Sequence, residues 1–597
     1  MGDTNPLLDD RDLDFLLGEV HGLDALRELP AFAGHSAETF GLTLATLRRV
    51  AREVLFPGYR AADLVPPVLD HGAVRLHPAM HAAFGALAET GLLAATRPYE
   101  VGGQQLPSLL MTAVAAYLSA AHPAAAGLAM LTTEAAHLIE SFGDEALRAR
   151  YLDPLYTGSM TGTMALTEPH AGSSLGDITT RATPHPDGTY RLAGTKIFIS
   201  GGAHDLTENI VHLVLARIEG APEGTRGVSL FCVPRLRPEG EGTAFNDVHC
   251  TGVIHKIGWR ALPSVVLSFG DAGDCHGWLV GAPGRGLAQM FQMMNAARTG
   301  VGVSGAAMAY AAYLEALAYA RTRPQGRALT NRGTGPQTPL LDHPDVRRML
   351  LRQKAIAEGA LSLVLATARL ADVSEHHPDP AERTRARLLL DLLTPVAKTF
   401  PAERGFEANV LAVQVLGGYG YTSEYLPELW MRDQKLNSIH EGTTGIQGLD
   451  LLGRKVVAAG GGALAAWAET VQGAVAEGRA AGLAAGWCDA LDDAVREVTE
   501  LTATLATRGL SGEVEAMMAH SADYLDLFAT VCVAWQWVLQ ATAAQREVGE
   551  GRGTGLHQGK LRAARYWIAT ELPRVHGLAA LCRGAEDSFV GMQPEWW

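Results

Sequence analysis

Residues 186–218 read PDGTYRLAGTKIFISGGAHDLTENIVHLVLARI, and this stretch decides the fold class. Pro186-Asp187-Gly188 is a turn sequence with a mechanism, because proline presets φ and glycine tolerates positive φ. Two short β-rich runs follow, Tyr190–Ser200 and Asn209–Ile218, and three more succeed them at 227–234, 247–257 and 264–271. Short strands without intervening helices predict an antiparallel barrel or sandwich rather than a doubly wound nucleotide-binding sheet.

Outward from this block the period changes. Up to about residue 160 the chain reads as helical: Leu42, Leu44, Leu47, Val50 and Val54, then Met80, Phe84, Leu87 and Leu92, approximate a 3.6-residue stripe. From about Gly284 the helical period returns. Val346, Met349, Leu350, Ile356, Ala357, Ala360, Leu363 and Val364 share one face, entered through Asp342 as cap and Pro344 as first-turn residue. The next long helix ends near Leu416, where Gly417-Gly418-Tyr419-Gly420 breaks the period. Gly460-Gly461-Gly462 then precedes an alanine-rich helical section. The order is helices, strands, helices and more helices, an α+β chain.

At 597 residues the chain is long enough for about four domains of ~150 residues. Forty-nine Lys+Arg against 64 Asp+Glu leave a net charge of −15, the wrong sign for a general nucleic-acid binder. Six scattered cysteines without a CxxC read as buried free thiols of a reducing compartment, not as a disulfide framework or zinc site. Residues 101–133 carry no charge, but Pro107, Pro123 and His122 interrupt them. Two helices buried in protein are expected there, with no transmembrane segment. The acidic start has no basic, apolar signal pattern, so a cytoplasmic location follows.

Three segments look like site material. Residues 164–176, MALTEPHAGSSLG, pack small and hydroxyl residues where backbone N–H groups approach a ligand closely, although a simple connector would read the same. Residues 196–202, KIFISGG, form a strand end presenting an aromatic ring and a hydroxyl. In 431–447, MRDQKLNSIHEGTTGIQ, Glu441 stands among Gly, Thr and Ile. Partial desolvation there would raise its proton affinity toward a general-base value, and a helix-capping Glu is the alternative. Gly417–Gly420 is no dinucleotide fingerprint: it follows a helix and lacks the GxGxxG spacing.

Together and in this order, these segments, with 294–298, 321–327 and 415–420, resemble the acyl-CoA dehydrogenase family over about residues 40–455. Gly102-Gly103-Gln104 and the extra C-terminal section resemble its long bacterial branch, which includes 3-methylmercaptopropionyl-CoA and broad-range fatty acyl-CoA dehydrogenases. The resemblance implies an α-helical N-domain (1–160), a middle antiparallel β-barrel or sandwich (161–280), a four-helix-bundle domain (281–458) and an extra helical domain (459–597). It implies FAD as cofactor. Met164, Leu166 and Thr167 would line the flavin ring, and Phe198 and Ser200 would cover its other side, Phe198 standing where many relatives have Trp. Gly172 and Ser173 would lie near the pyrophosphate or the CoA arm. Arg323 would pair with the pyrophosphate of a neighbouring subunit's FAD, with Gln325 replacing a usual aromatic, and Gln414, Gly417 and Gly418 would reach the adenosine end. Thr443 would contact the cofactor after the catalytic residue.

The activity implied is oxidation of an acyl-CoA thioester to the trans-2-enoyl form, as in fatty-acid β-oxidation. Glu441 occupies the base position, and Ala297 occupies the alternative base position used by a few relatives. Its backbone N–H would help hold the developing oxyanion, and Ser173, Arg298 and Gly442 would meet the substrate. His440, where Tyr is common, reads as a tuning or a packing residue. A homodimer and an electron-transfer flavoprotein as acceptor are implied as well. Trp259-Arg260-Ala261-Leu262-Pro263 departs from the family pattern. The competing reading is a DNA-associated alkylation-stress flavoprotein, whose basic C-terminal region holds duplex DNA. Here residues 461–597 carry 10 Lys+Arg against 17 Asp+Glu, the opposite sign. A nitroalkane oxidase would place Asp at position 441, and a catalytically silent scaffold is the remaining rival.

Overall fold

The computed structural model describes residues 7–331 and 333–597. The chain forms two compact units: the segment up to Phe40 with Pro107–Ala116 and Val301–Trp597, and Gly41–Leu106 with Tyr117–Gly300. Among the described residues all strands lie in the second unit. They are β1 (Val68–Asp70), β2 (Ala73–Arg75), β3 (Met160–Ala165), β4 (Arg181–Pro184), β5 (Tyr190–Ser200), β6 (Asn209–Ile218), β7 (Val228–Pro234), β8 (Leu236–Glu239), β9 (Gly242–Phe245), β10 (Val248–Val253), β11 (Ser264–Phe269) and β12 (His276–Leu279).

Eight of these form one sheet. From β5 the pairing runs through β12 and β7 to β6, and β4 closes the circuit by pairing with both β5 and β6. The closed five-strand ring has no free edge, the usual solution for a small barrel. From β5 the sheet continues to β11 and β10, and from β6 to β3. The expectation of antiparallel pairing needs one correction, because β3 and β4 both run parallel to β6. A strand entering from a helix lies beside β6 in the same sense, which no local turn signal reveals.

The run NIVHLVLARI is apolar on both sides because β6 is buried on both sides. Val211, Leu213 and Leu215 pack with Ala135, Leu138 and Ile139 of helix Pro123–Phe142, and with Met290 and Met293. Their alternates, Val214 and Ala216, join Ala182, Leu192, Phe231 and Val233 inside the barrel. The period of two thus sends one strand's side chains into two different cores.

The N-terminal section is helical as expected apart from the hairpin β1–β2, where His71 and Gly72 both take positive φ. Leu42 is 62% exposed and does not belong to the buried stripe, which runs through Leu44, Leu47, Ala51 and Leu55. The uncharged stretch yields helices Ser108–Ala121 and Pro123–Phe142.

In the other unit, helices Pro344–His376 and Pro380–Leu416 are joined by a three-residue turn and pack with Ser521–Gly549. The cap of Pro344–His376 is His343, not Asp342, which ends the short turn Leu340–Asp342. Gly359 lets Ser521–Gly549 come close, and Trp537 Nε1 donates to Ala355 O at 3.0 Å. A charged cluster is buried in this unit. Lys560 meets Glu358 Oε2 and Gln540 Oε1 at 2.8 Å each and also pairs with Asp12. Tyr310 donates to Asp12 at 2.6 Å, and Lys354 pairs with Glu358. Two acids and two ammonium groups balance, as burial of charge requires.

Helices Gly286–Thr322 and Ser521–Gly549 are long and apolar enough to cross a membrane, but 78% and 89% of their most apolar windows are buried within the protein, the behaviour of core helices. The cysteines are all free, with Cys250 half-buried and the other five buried.

Candidate active site

In the β unit, β3 ends at Ala165, and Leu166-Thr167-Glu168 continues alongside β5. Ile197 N donates to Thr167 O at 2.9 Å. The Lys196 ammonium, fully buried on β5, donates to Leu166 O and to Glu168 Oε1, both at 2.9 Å. One cation therefore clamps both ends of the tripeptide that carries Thr167.

The Glu168 carboxylate also accepts from Thr179 N and Oγ1 (2.7 and 2.8 Å) and from Thr180 N and Oγ1 (3.0 and 2.6 Å). Burial alone would raise this carboxyl, but the Lys196 charge and the Thr180 hydroxyl outweigh it and bring the group down to about 2. Burial likewise pulls Lys196 down to about 8 against the opposing pull of Glu168. Glu168 is thus a scaffold carboxylate. Neither it nor Lys196, Thr179 and Thr180 was assigned a role from sequence; a buried strand lysine needs a counter-charge, but sequence alone does not name it.

The clamp leaves Thr167 half-buried, and among the described residues no hydrogen bond uses its amide or hydroxyl hydrogen. Phe198, two residues beyond Lys196, is 60% exposed and holds a left-handed φ of 60°. An unsolvated core would not leave a phenyl ring so placed, and a large planar group over Phe198 with polar edges meeting Thr167 fits this donor set. Met164, Leu166 and Ser200 are half-buried in the same unit, and Gly172 and Ser173 are exposed in the loop that follows. Arg298 is only 4% exposed, its guanidinium 5.9 Å from the centre of the Phe291 ring and 3.4 Å from Asn295 Oδ1. Trp259, in the departing loop, is buried against Gly127 at a φ of 50°.

In the helical unit, Glu441 is half-buried at the head of helix Thr444–Asp450, with φ 55°, followed by Gly442 with φ 89°. A left-handed residue with a long side chain is uncommon, and such positions concentrate at functional sites. Three carboxamides hang this segment on its surroundings. Gln434 donates to Pro401 O at 2.7 Å, Asn437 donates to Gln434 Oε1 at 3.4 Å, and Gln447 donates to Glu441 O at 2.9 Å. Thr443 caps the helix through Ile446 N, and the Thr444 hydroxyl bonds Glu403. Burial, and then the Lys398 charge, push the His440 imidazole down to about 3, so it is neutral at physiological pH.

Arg323, Gln414, Gly417 and Gly418 are exposed. Arg323 lies 5.7 Å from the centre of the Tyr419 ring, and Gly417 N caps its helix on Gln414 O. The backbone of Arg323 and Gln325 pairs with Leu340 and Thr338, which fixes the main chain that carries the arginine. The structure thus groups the sequence-derived residues as Met164–Ser200 in the β unit, and as Arg323 with Gln414–Gly418, and Glu441–Thr443, in the helical unit.

Family models match along most of the chain. The acyl-CoA dehydrogenase N-terminal, middle and C-terminal domain models match residues 43–159, 163–272 and 284–456, and an acetyl-CoA dehydrogenase C-terminal-like model matches 464–593. The chain belongs to the acyl-CoA dehydrogenase family of FAD-dependent oxidoreductases. It is similar to 3-methylmercaptopropionyl-CoA dehydrogenase of Ruegeria pomeroyi, with 37% identity over 93% of this chain and 94% of that protein. It is also similar to a broad-specificity linear acyl-CoA dehydrogenase of Mycobacterium tuberculosis, with 33% identity over 94% and 95%. Among solved structures, an acyl-CoA dehydrogenase of Bacillus anthracis complexed with FAD shares the fold: TM-score 0.75, 21% identity, 97% of this chain and 93% of that one.

Proposed function

We propose that this protein dehydrogenates an acyl-CoA thioester between Cα and Cβ to the trans-2-enoyl-CoA, with Glu441 removing the α-proton. The observation that carries this is the half-buried carboxylate of Glu441, set on a left-handed turn whose carbonyl is tied down by Gln447. The same residue offers its backbone N–H to the thioester oxygen as enolate charge develops there, a donor fixed before reaction. FAD, when bound, supplies the acceptor for the hydride leaving Cβ.

In this reading Met164, Leu166, Thr167, Phe198 and Ser200 hold the isoalloxazine, and Gly172 and Ser173 the pyrophosphate or the CoA arm. Arg323 pairs with the pyrophosphate of a second subunit's FAD, Gln414, Gly417 and Gly418 serve its adenosine end, and Thr443 contacts the cofactor. Ser173, Arg298 and Gly442 meet the substrate. Exposed Tyr421 (89%), Tyr419, Ile439 and Val410 favour burial against a second copy, so the enzyme is read as a homodimer. The four-domain division, an electron-transfer flavoprotein as acceptor, a cytoplasmic location and a place in fatty-acid β-oxidation belong to the same reading.

The test is anaerobic titration of the yellow protein with CoA esters of graded chain length. Glu441→Gln is expected to retain FAD and lose bleaching of the flavin absorbance. Bleaching as fast as in the parent protein would remove Glu441 from the mechanism.

A further inference from the structure

We propose that Gln447 is the positioning residue for Glu441, holding the base and its backbone N–H donor in one reactive orientation; this rests on the reading of Glu441 as the base. Glu441 and Gly442 both have positive φ, 55° and 89°. A side-chain-bearing residue stays in the left-handed region only where its surroundings over-determine it. Gln447 supplies that constraint. Its side chain has no solvent exposure and folds back over the turn, donating from Nε2 to Glu441 O at 2.9 Å and, more weakly, to Gly442 O at 3.5 Å.

Two carbonyl oxygens can be met only by a donor, so the NH2 end of the carboxamide must face the turn. Gly442 is matched to this contact, because a Cβ there would lie 2.7 Å from Gln447 Nε2. The donor is itself anchored: Gln447 N bonds Thr443 O at 3.0 Å, and the Thr443 hydroxyl caps the same helix.

Fixing the Glu441 carbonyl holds the peptide that follows it, and with it ψ of Glu441 and the positive φ of Gly442. A carbonyl anchored on one side of Cα also limits turning about the N–Cα bond, and that angle sets the residue's N–H relative to its Cα–Cβ bond. Enolisation needs both groups at once, a carboxylate at the α-proton and a donor at the thioester oxygen. Here one residue supplies both, so one carboxamide governs their mutual aim. On the far side of the turn the Thr444 hydroxyl bonds Glu403.

The experiment compares Gln447→Met, which keeps length and loses the donor, with Gln447→Glu, which donates only when protonated. Readouts are FAD content, unfolding midpoint, and the limiting rate and midpoint of flavin reduction by the CoA ester most active on the parent protein. Gln447→Met is expected to lower the limiting rate per bound flavin about 10- to 100-fold, with the binding midpoint within about threefold. The rate ratio of Gln447→Glu to Gln447→Met is expected to exceed one in acid and to fall as pH rises.

A per-flavin rate for Gln447→Met within about twofold of the parent protein overturns the proposal, as does a ratio independent of pH. If Gln447→Met does not fold, Gln447→Glu decides alone: its rate relative to the parent must fall with rising pH, and a flat ratio overturns the idea. Glu441→Gln runs in the same series. If it bleaches normally, the base assignment has failed; if it is silent while Gln447→Met is not slowed, only the role of Gln447 has failed.

Discussion

Replacing Glu168 with glutamine tests whether the ammonium of Lys196 depends on that carboxylate. Lys196 is fully buried and has two oxygen partners, Leu166 O and Glu168 Oε1. Its proton affinity already stands at about 8, below the ordinary 10.5, although Glu168 holds it up. Without that charge the group falls further and is neutral near pH 7. Keeping a lysine neutral at pH 7 when the unfolded chain binds the proton up to about 10.5 costs at most about 5 kcal/mol, at about 1.4 kcal/mol per pH unit. The Glu168 carboxyl, at about 2 instead of 4.5, puts the lower bound near about 3 kcal/mol. The expected loss is therefore about 3–5 kcal/mol, the range for breaking a buried pair.

The sign of the pH dependence follows from the same numbers. In the parent protein Lys196, at about 8 when folded, is charged at pH 7 and about half charged at pH 8, so it adds only about 0.4 kcal/mol over that unit. The variant binds the proton only when unfolded and gains about 1.4 kcal/mol over that unit. Unfolding of the β unit by urea, followed through tryptophan fluorescence at both pH values, should show the gap narrowing by the difference, about 1 kcal/mol. In acid, the Glu168 contribution in the parent protein is complete above about 4.5 and lost as pH falls through about 2. A gap below about 1 kcal/mol, or one constant from pH 7 to 8, would refute the reasoning.

Two further substitutions probe the helical unit. Lys560→Met leaves Asp12 and Glu358 buried with Lys354 as the remaining ammonium, and should cost about 3–5 kcal/mol by thermal denaturation followed at helical circular dichroism. Gly359→Ala places a methyl 2.6 Å from Val533 Cγ1 and 2.9 Å from Trp537 Nε1, and should destabilise by about 1–3 kcal/mol. An unchanged midpoint would mean that the helix of Trp537 can move aside.

How much was legible differs by element. The strands Tyr190–Ser200 and Asn209–Ile218 have the bounds their sequences predict, because Gly188 and Gly201 bracket the first run and Asn209 and Gly220 the second. Short β4 and β12 escaped notice: four-residue strands beside charged and turn residues carry almost no period. Leu42 lies outside the buried stripe because a run of leucines marks a helix face more reliably than its edges. The positive φ of Phe198, Trp259 and Glu441 was also invisible, since none is the residue type that ordinarily signals it.

The order of helical and β sections, the acidic balance that argues against a nucleic-acid surface, and the three motif segments with Glu441 among them can all be read along the linear chain. These are properties of composition, or of runs a few residues long, where periodicity and turn chemistry act locally. The closing of the barrel by β4, the pairing of Lys196 with Glu168 across 28 positions, and the return of Gln447 onto the carbonyl of Glu441 exist in the folded chain alone. A lysine in a strand, or a glutamine in a helix, reads as a solvated side chain until the chain path brings it a buried partner. Burial then makes that partner obligatory, because a polar group removed from water must be satisfied inside the fold.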